Sequence, residues 1–493
     1  MLRRGLLPFA CLLAALLLLV PAGAQAPADD AAVKLIGATL GPSPIAKNLR
    51  TLTDEVGGRV PGTPAMRKAV AWAVEALRQA GVDEVHTEKF TMPVSWQGPS
   101  ARVDVLGRVP FSARAVSIGW SPAADLEARV VDLGRGTEQD FARAGQFRGA
   151  VVLVHSGVLR TLDDLFSEYL NAPGIIDRAV RGGAVAILWM STRERGLLYR
   201  HQNNLVGQID RLPQAILARE DAERLARAVV ADPAVRARLV LANRIGGPIE
   251  EENVVAEIRG TERPDEVVIL GAHLDSWELG TGALDNGCNA ALVIDVARAI
   301  RAAGLKPRRT IRFILWSGEE QGMLGSWRYA QAHAAEMDRI VAEVVFDEGT
   351  GRTTGYSLGG RKDIEAAVRE ILRPVEAWGA NTHTADAFVG TDNLDFLLYG
   401  VPTLVANQED SNYMENYHAE SDTFDKADIR ELKMNTAIAA ITVYGIAQRA
   451  ERLGKRQTRA EIEALLKETG LDQQLKTFGI WEMWQRGDRG RAK

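Results

Sequence analysis

From Glu251 onward the chain alternates short, almost unbroken apolar runs with longer amphipathic ones. "EVVILGAH", "TIRFILWS", "IVAEVVFD" and "VPTLVAN" have strand length, whereas "NAALVIDVARAIRAAG", "GSWRYAQAHAAEM" and "DIEAAVREILRPVEAWG" have helical periodicity. A strand that is apolar at nearly every position is buried on both faces, and helices between such strands cover those faces. The pattern predicts an α/β domain with a mainly parallel sheet between helical layers, completed by a helix near Asp428–Arg449.

The side chains that could bind metals or move protons fall where such a sheet would gather them. His273 and Asp275 follow "EVVILGA", Glu319 and Glu320 follow "TIRFILWSG", Asp347 follows "IVAEVVF", and His418 lies beyond "VPTLVAN". Asp285 sits in "GALDNG", before the helix that begins near Asn289. Open α/β sheets bind ligands in the crevice outside the carboxyl ends of their strands, so residues far apart in sequence are expected to converge there. Two histidines and several carboxylates packed together are costly unless cations offset the repulsion. A His/Asp/Glu set without cysteine suits zinc, with manganese or cobalt as alternatives. His273, Asp285, Glu320, Asp347 and His418 are too many for one tetrahedral ion and fit two ions sharing a carboxylate, roughly 3.5–4 Å apart. Asp275 is expected to orient His273 by accepting its second ring N–H.

The full chain of 493 residues is too long for one ordinary core. The expected division is an α/β domain in two parts, 25–120 and 246–450, an insertion over 121–245 and a helical extension over 451–493. In the insertion, "ARVVDLGRG", "GAVVLVHSG", "GAVAILWMS" and "LPQAILA" read as short strands, and "REDAERLARAVV" as a helix. No ligand cluster occurs there; His155 and His201 are isolated and read as surface or packed residues.

The first residues, "MLRRGLLPFACLLAALLLLVPAGAQ", have two arginines, an apolar run and small residues before a cut. This is the pattern of a secretory signal peptide cleaved after Ala24, giving a secreted or periplasmic protein without a stable membrane anchor. Of the two cysteines, Cys11 and Cys288, the first lies in that leader, so no intrachain disulfide is expected after cleavage. The formal charge of -5 and the absence of a basic block argue against a nucleic-acid partner; a homodimer is left open.

In order along the chain, "GAHLDSW", "GALDNG", "LWSGEEQG", "VFDEGTG" and "YHAESDT" resemble the motifs of the co-catalytic di-zinc aminopeptidases, above all their carboxypeptidase Q-like branch. The resemblance implies a three-layer αβα zinc-exopeptidase domain with a mixed, mainly parallel sheet and an inserted β-rich protease-associated domain. It implies that His273 and Asp347 bind one zinc, Glu320 and His418 the other, and that Asp285 bridges them. Glu319 would be the general base, Asp275 would orient His273, and Asp392 would lie near the site. Tyr417 matches a position where some members stabilise the tetrahedral intermediate; Tyr413 is its rival. The implied substrates are dipeptides or short peptides, losing their N-terminal residue, with Glu409 and Asp410 as candidates for an acidic rim that meets the substrate amine. Cys288 stands where a small residue is common and reads as packed. The alternatives are a non-catalytic receptor on the same scaffold, a glutaminyl-cyclase-like transferase using one zinc, and a non-peptide amidohydrolase.

Overall fold

A computed structural model describes residues 27–492; the expected leader and its cleavage point lie outside the described residues. The chain forms two main sheets. Strands β1 (Glu84–Met92), β12 (Ile249–Ile258), β13 (Arg263–His273), β14 (Arg309–Trp316), β15 (Ile340–Val345), β16 (Thr353–Ser357) and β17 (Thr403–Gln408) make the first, in the order β1-β12-β14-β13-β15-β17-β16. Its centre, β14, β13, β15 and β17, is parallel, while β1, β12 and β16 are antiparallel to their neighbours.

Alternate residues of these strands enter different cores. Val268, Leu270 and Ala272 pack with helices on one face, whereas Val267 and Ile269 pack on the other. The first face is covered by α1 (Pro27–Leu40), α2 (Ile45–Arg50), α3 (Pro64–Gln79), α7 (Cys288–Ala302), α9 (Glu365–Leu372) and α12 (Ile429–Gln448). The other face is covered by α8 (Leu324–Ala332) and α10 (Asn393–Leu398). The short helix α11 (Tyr413–Asn416) lies beside the strand termini. The result is the three-layer αβα arrangement expected from the buried runs. From β13 the chain reaches β14 through α7 on one face and then crosses to β15 through α8 on the other. The order therefore reverses at β13, and the crevice between β13 and β15 lies at the switch point.

The second sheet has the order β4-β3-β10-β6-β7-β8-β9-β5. It comprises β3 (Ala101–Leu106), β4 (Phe111–Ala113), β5 (Ala115–Ser117), β6 (Ala124–Asp132), β7 (Val151–Val154), β8 (Ala186–Met190), β9 (Gln214–Leu217) and β10 (Arg236–Leu241). Strands β6 to β9 run parallel. Helix α5 (Leu162–Gly182) covers one face, α6 (Arg219–Ala231) the other, and α4 (Glu138–Arg143) joins β6 to β7. This sheet begins well before Ser121: the stretches "ARVDVL" and "AVS" pair with β10 and β9 rather than with the first sheet. A two-stranded ribbon of β2 (Ser95–Gln97) and β11 (Arg244–Gly246) links the domains.

Helices α13 (Arg459–Glu468), α14 (Leu471–Thr477) and α15 (Ile480–Arg486) form the C-terminal extension. It packs on α10 through Leu394, Leu398, Leu466 and Trp484, and its Arg489 makes a fully buried, two-point ion pair with Asp395. No helix among the described residues is long and apolar enough to cross a membrane.

Candidate metal centre

The carboxyl ends of the parallel strands supply the site. β13 ends on His273, Asp347 stands just past β15, and Glu319 and Glu320 follow β14 after Gly318, whose φ of 78° is the left-handed conformation that glycine adopts without strain. Asp285 comes from the loop before α7, and His418 from the segment between β17 and α12.

Asp285 divides its two oxygens between two groups. Oδ1 lies 3.1 Å from Nε2 of His273, which is also 3.0 Å from Oδ1 of Asp347. Oδ2 lies 3.3 Å from Nε2 of His418, which is 2.8 Å from Oε2 of Glu320. His273, Asp285 and Asp347 thus form one set and Asp285, Glu320 and His418 another, the ligand atoms of each lying within 4.8 Å of one another. Each Nε2 faces two carboxylates, more than one N–H can serve well, and Oε1 of Glu320 has no hydrogen-bond partner. Bonds of about 2.0–2.2 Å arranged tetrahedrally hold ligand atoms about 3.3 Å apart, close to the spacings here. The residues fit two metal ions with Asp285 between them.

Proton affinities follow from the crowding. Burial would lower the pKa of His418, but Glu320 and Asp285 outweigh it and raise it to about 9. Burial pushes Glu320 up to about 7 against the pull of His418. Burial also lifts Glu319 well above the usual carboxylate range; His273 opposes this, and Asp347, Asp392 and Glu320 add to it.

Asp275 contacts His273 differently from the expectation. Its carbonyl oxygen accepts from Nδ1 of His273 at 3.0 Å, while its nearest carboxylate oxygen is 3.7 Å away. The carboxylate instead accepts the backbone N–H groups of Glu319 and Glu320, each at 3.3 Å. A backbone carbonyl is enough to fix the ring, which leaves the side chain to tie the end of β13 to the two glutamates.

His418 is oriented from the second domain. Its Nδ1 donates to the carbonyl of Arg200 at 2.9 Å, the Arg200 N–H donates to the carbonyl of His418 at 2.9 Å, and the Glu420 N–H donates to Leu198 at 3.0 Å. His418 has φ 57°, uncommon for a residue with a side chain, and this pairing holds it there.

Two residues with no assigned role shape the loop of Asp285. Asp422, in the "YHAESDT" motif, accepts the N–H groups of Ala283, Leu284 and Asp285 at 3.1, 2.7 and 3.1 Å. The buried Arg59 donates to the carbonyls of Leu274, Thr281 and Gly282. Asp422 was within reach of motif reading; Arg59, in a Gly/Pro loop, carried no signal.

The site opens into a cavity of about 760 Å³ that Glu319, Tyr413 and Tyr417 also line. Tyr413 donates to Oδ2 of Asp285 at 3.2 Å. The ring of Tyr417 stacks on His418 with centroids 3.7 Å apart, and its hydroxyl is 3.0 Å from that of Tyr169 on α5. Asp392 is fully buried behind the cavity, which Thr391 lines instead. Glu409 and Asp410 are exposed and do not line it; Glu348 does. Cys288 is buried at the start of α7, its Sγ 3.3 Å from the carbonyls of Leu284 and Gly349.

Residues 253–443, which include all of these ligand positions, match the family described as Peptidase family M28. Over these residues the chain is similar to that family. Carboxypeptidase Q of Rattus norvegicus is 28% identical over 416 residues, covering 83% of this chain and 86% of that protein. The crystal structure of a peptidase M28 precursor from Shewanella amazonensis SB2B has a TM-score of 0.78 at 28% identity and covers 87% of this chain and 99% of its own. BSAP, a zinc aminopeptidase from Bacillus subtilis, shares the fold with a TM-score of 0.65 at 19% identity, over 84% of this chain and 97% of its own. Both candidate ligand sets lie within the matched residues, at the switch point of the first sheet.

Proposed function

We propose that the chain is an exported di-zinc exopeptidase that removes the N-terminal residue from dipeptides or short peptides. The observation that carries this reading is Asp285, whose two oxygens face separate ligand sets in a cavity that Glu319 shares. His273 and Asp347 would hold one ion and Glu320 and His418 the other, with manganese or cobalt as alternatives to zinc. When bound, such a pair supplies Lewis acidity that activates water and polarises the scissile carbonyl.

The chain's own groups then do the following. Glu319 takes a proton from the attacking water as its oxygen bonds to the carbonyl carbon, and delivers a proton to the amine nitrogen as the C–N bond breaks. Tyr413 fixes Asp285, and Tyr417, which lines the cavity, is the donor proposed for an oxyanion. Glu348, which lines the cavity, is the acid proposed to receive the substrate ammonium. Phe166 of α5 and Phe478 of the extension wall the cavity, which favours short substrates. In this reading the second domain is a protease-associated domain, and a mature chain beginning at Gln25 is expected in the exported fraction.

The test combines metal analysis with a panel of dipeptides, longer peptides and aminoacyl amides. Two zinc ions per chain and chelator-sensitive dipeptide cleavage are expected. Glu319→Gln is expected to lower kcat by about 10²–10⁴ with the metals retained; wild-type activity in that variant would sink the mechanism.

A further inference from the structure

The second domain has a cavity of its own, about 510 Å³, lined from the carboxyl ends of β6, β7 and β8 and from one face of α5. Strand carboxyl ends are where open α/β sheets bind ligands. Three side chains lining it carry buried polar atoms without hydrogen-bond partners: both ring nitrogens of His201, Oε2 of Glu168 and Nε of Arg178. His201 is only 1% exposed. Leaving a buried polar group unpaired is costly, so three such groups around one space point to a ligand rather than to packing.

The charges indicate which ligand. Glu168, Asn171, Ile175 and Arg178 recur at helical spacing along the face of α5 that lines the cavity. Glu168 and His201 both line the cavity, and Oε1 of Glu168 accepts from the hydroxyl of Tyr199, whose ring lies 6.0 Å from that of His201. Arg193 is close, but its Nη atoms donate to Thr192 and to the carbonyl of Tyr417. Arg178 lies toward the outer end, near the exposed Arg135. Glu168 and Arg178 are separated by about 15 Å along the helix, a span that includes the reach of both side chains. An extended di- or tripeptide spans about 7–11 Å. Ile118, Trp189 and Ile216 supply apolar wall for its side chains.

We propose that this cavity is a second binding site, for a zwitterionic di- or tripeptide, with the ammonium at Glu168 and His201 and the carboxylate at Arg178 and Arg135. Helix α5 is the wall between the two cavities, since its Leu162, Phe166 and Tyr169 line the one at the metal centre. The Tyr169 ring lies 4.3 Å from that of His201, and its hydroxyl meets Tyr417, which stacks on His418. An occupant that touches His201 is therefore three side-chain contacts from a candidate metal ligand.

The test is isothermal titration of Leu-Gly into the zinc-loaded, full-length Glu319→Gln chain. Two binding events are expected. Asn171→Trp, which fills the cavity from an exposed position on α5, is expected to abolish one of them. Arg135→Ala, at an exposed position where folding is not at stake, is expected to weaken the same event at least fivefold. Leu-Gly amide, lacking the carboxylate, is expected to bind there at least tenfold more weakly. A single event that neither substitution alters, or no binding beyond the metal centre, overturns the proposal. Binding is the readout, so the result is separate from the peptidase reading; product formation by Glu319→Gln would count against that reading alone.

Discussion

The carbonyl oxygen of Arg200 accepts the Nδ1 hydrogen of His418 at 2.9 Å, so one candidate metal ligand is aimed by the second domain. Arg200 is itself anchored: its buried guanidinium donates to the carbonyls of Ser117 and Gly98 and pairs with Glu278. Outer partners of metal-binding histidines typically affect affinity by about 10–100-fold. Arg200→Ala should release Leu198–Gln202 and weaken one metal by that factor while sparing the other. Stepwise chelation followed by metal analysis reads this directly, and equal loss of both metals would contradict it.

Asp275 holds the backbone of Glu319 and Glu320 rather than the ring of His273. Asp275→Asn replaces one accepting oxygen with an N–H₂ group that opposes a backbone N–H. The glutamates should shift while His273, fixed by the residue 275 carbonyl, stays in place. The expected outcome is a kcat about 10–100-fold lower with zinc content unchanged. Loss of zinc with kcat per bound metal preserved would show that the carboxylate acts on His273 after all.

The convergence of the candidate ligands was legible because His273, Glu320 and Asp347 stand at or just past the ends of buried strands, and a parallel sheet brings such ends together whatever their separation in sequence. Glu319 and Glu320 looked like two solvated acids until His273, Asp285, Asp347 and His418 placed them in a crevice. The start of the second sheet at Ala101 was not legible, because "ARVDVL" alternates like any half-exposed strand and its partner β10 lies far along the chain. Arg200 left no trace either, since it acts through a carbonyl that every residue has. His201, isolated in sequence, is packed as one reading allowed, but the cavity it faces depends on α5 lying across the strand ends.

Arg489 and Asp395 are each buried completely and joined at 2.9 and 2.7 Å. Breaking a buried pair by removing one partner typically costs about 3–5 kcal/mol, whereas replacing both with apolar residues is far milder. Arg489→Met should lower the urea midpoint markedly, and adding Asp395→Leu should recover much of the loss. The extension carries Phe478 into the cavity of the metal centre, so the single variant should also accept longer peptides than the wild type. A double variant no more stable than the single one would refute the pair as the fastening.

Asp210 links the second domain to pH. Asn204 and Gln214 each donate to its carboxylate at 2.8 Å, yet burial raises its pKa to about 6. In the unfolded chain an aspartate titrates near 3.9. The folded chain therefore keeps this proton to higher pH than the unfolded one. The resulting stability is complete below about pH 4 and is lost as the pH rises through about 6. Two pKa units correspond to about 3 kcal/mol, and partial exposure of the group reduces this to about 1–2 kcal/mol. Asp210→Asn cannot titrate and should remove that slope. The stability of the variant relative to the wild type is expected to rise by this amount between pH 4 and pH 7, whatever constant offset its altered hydrogen bonds introduce. Denaturant unfolding at several pH values checks it, and a parallel pH dependence in the two proteins would show that Asp210 ionises in the folded chain as it does in the unfolded one.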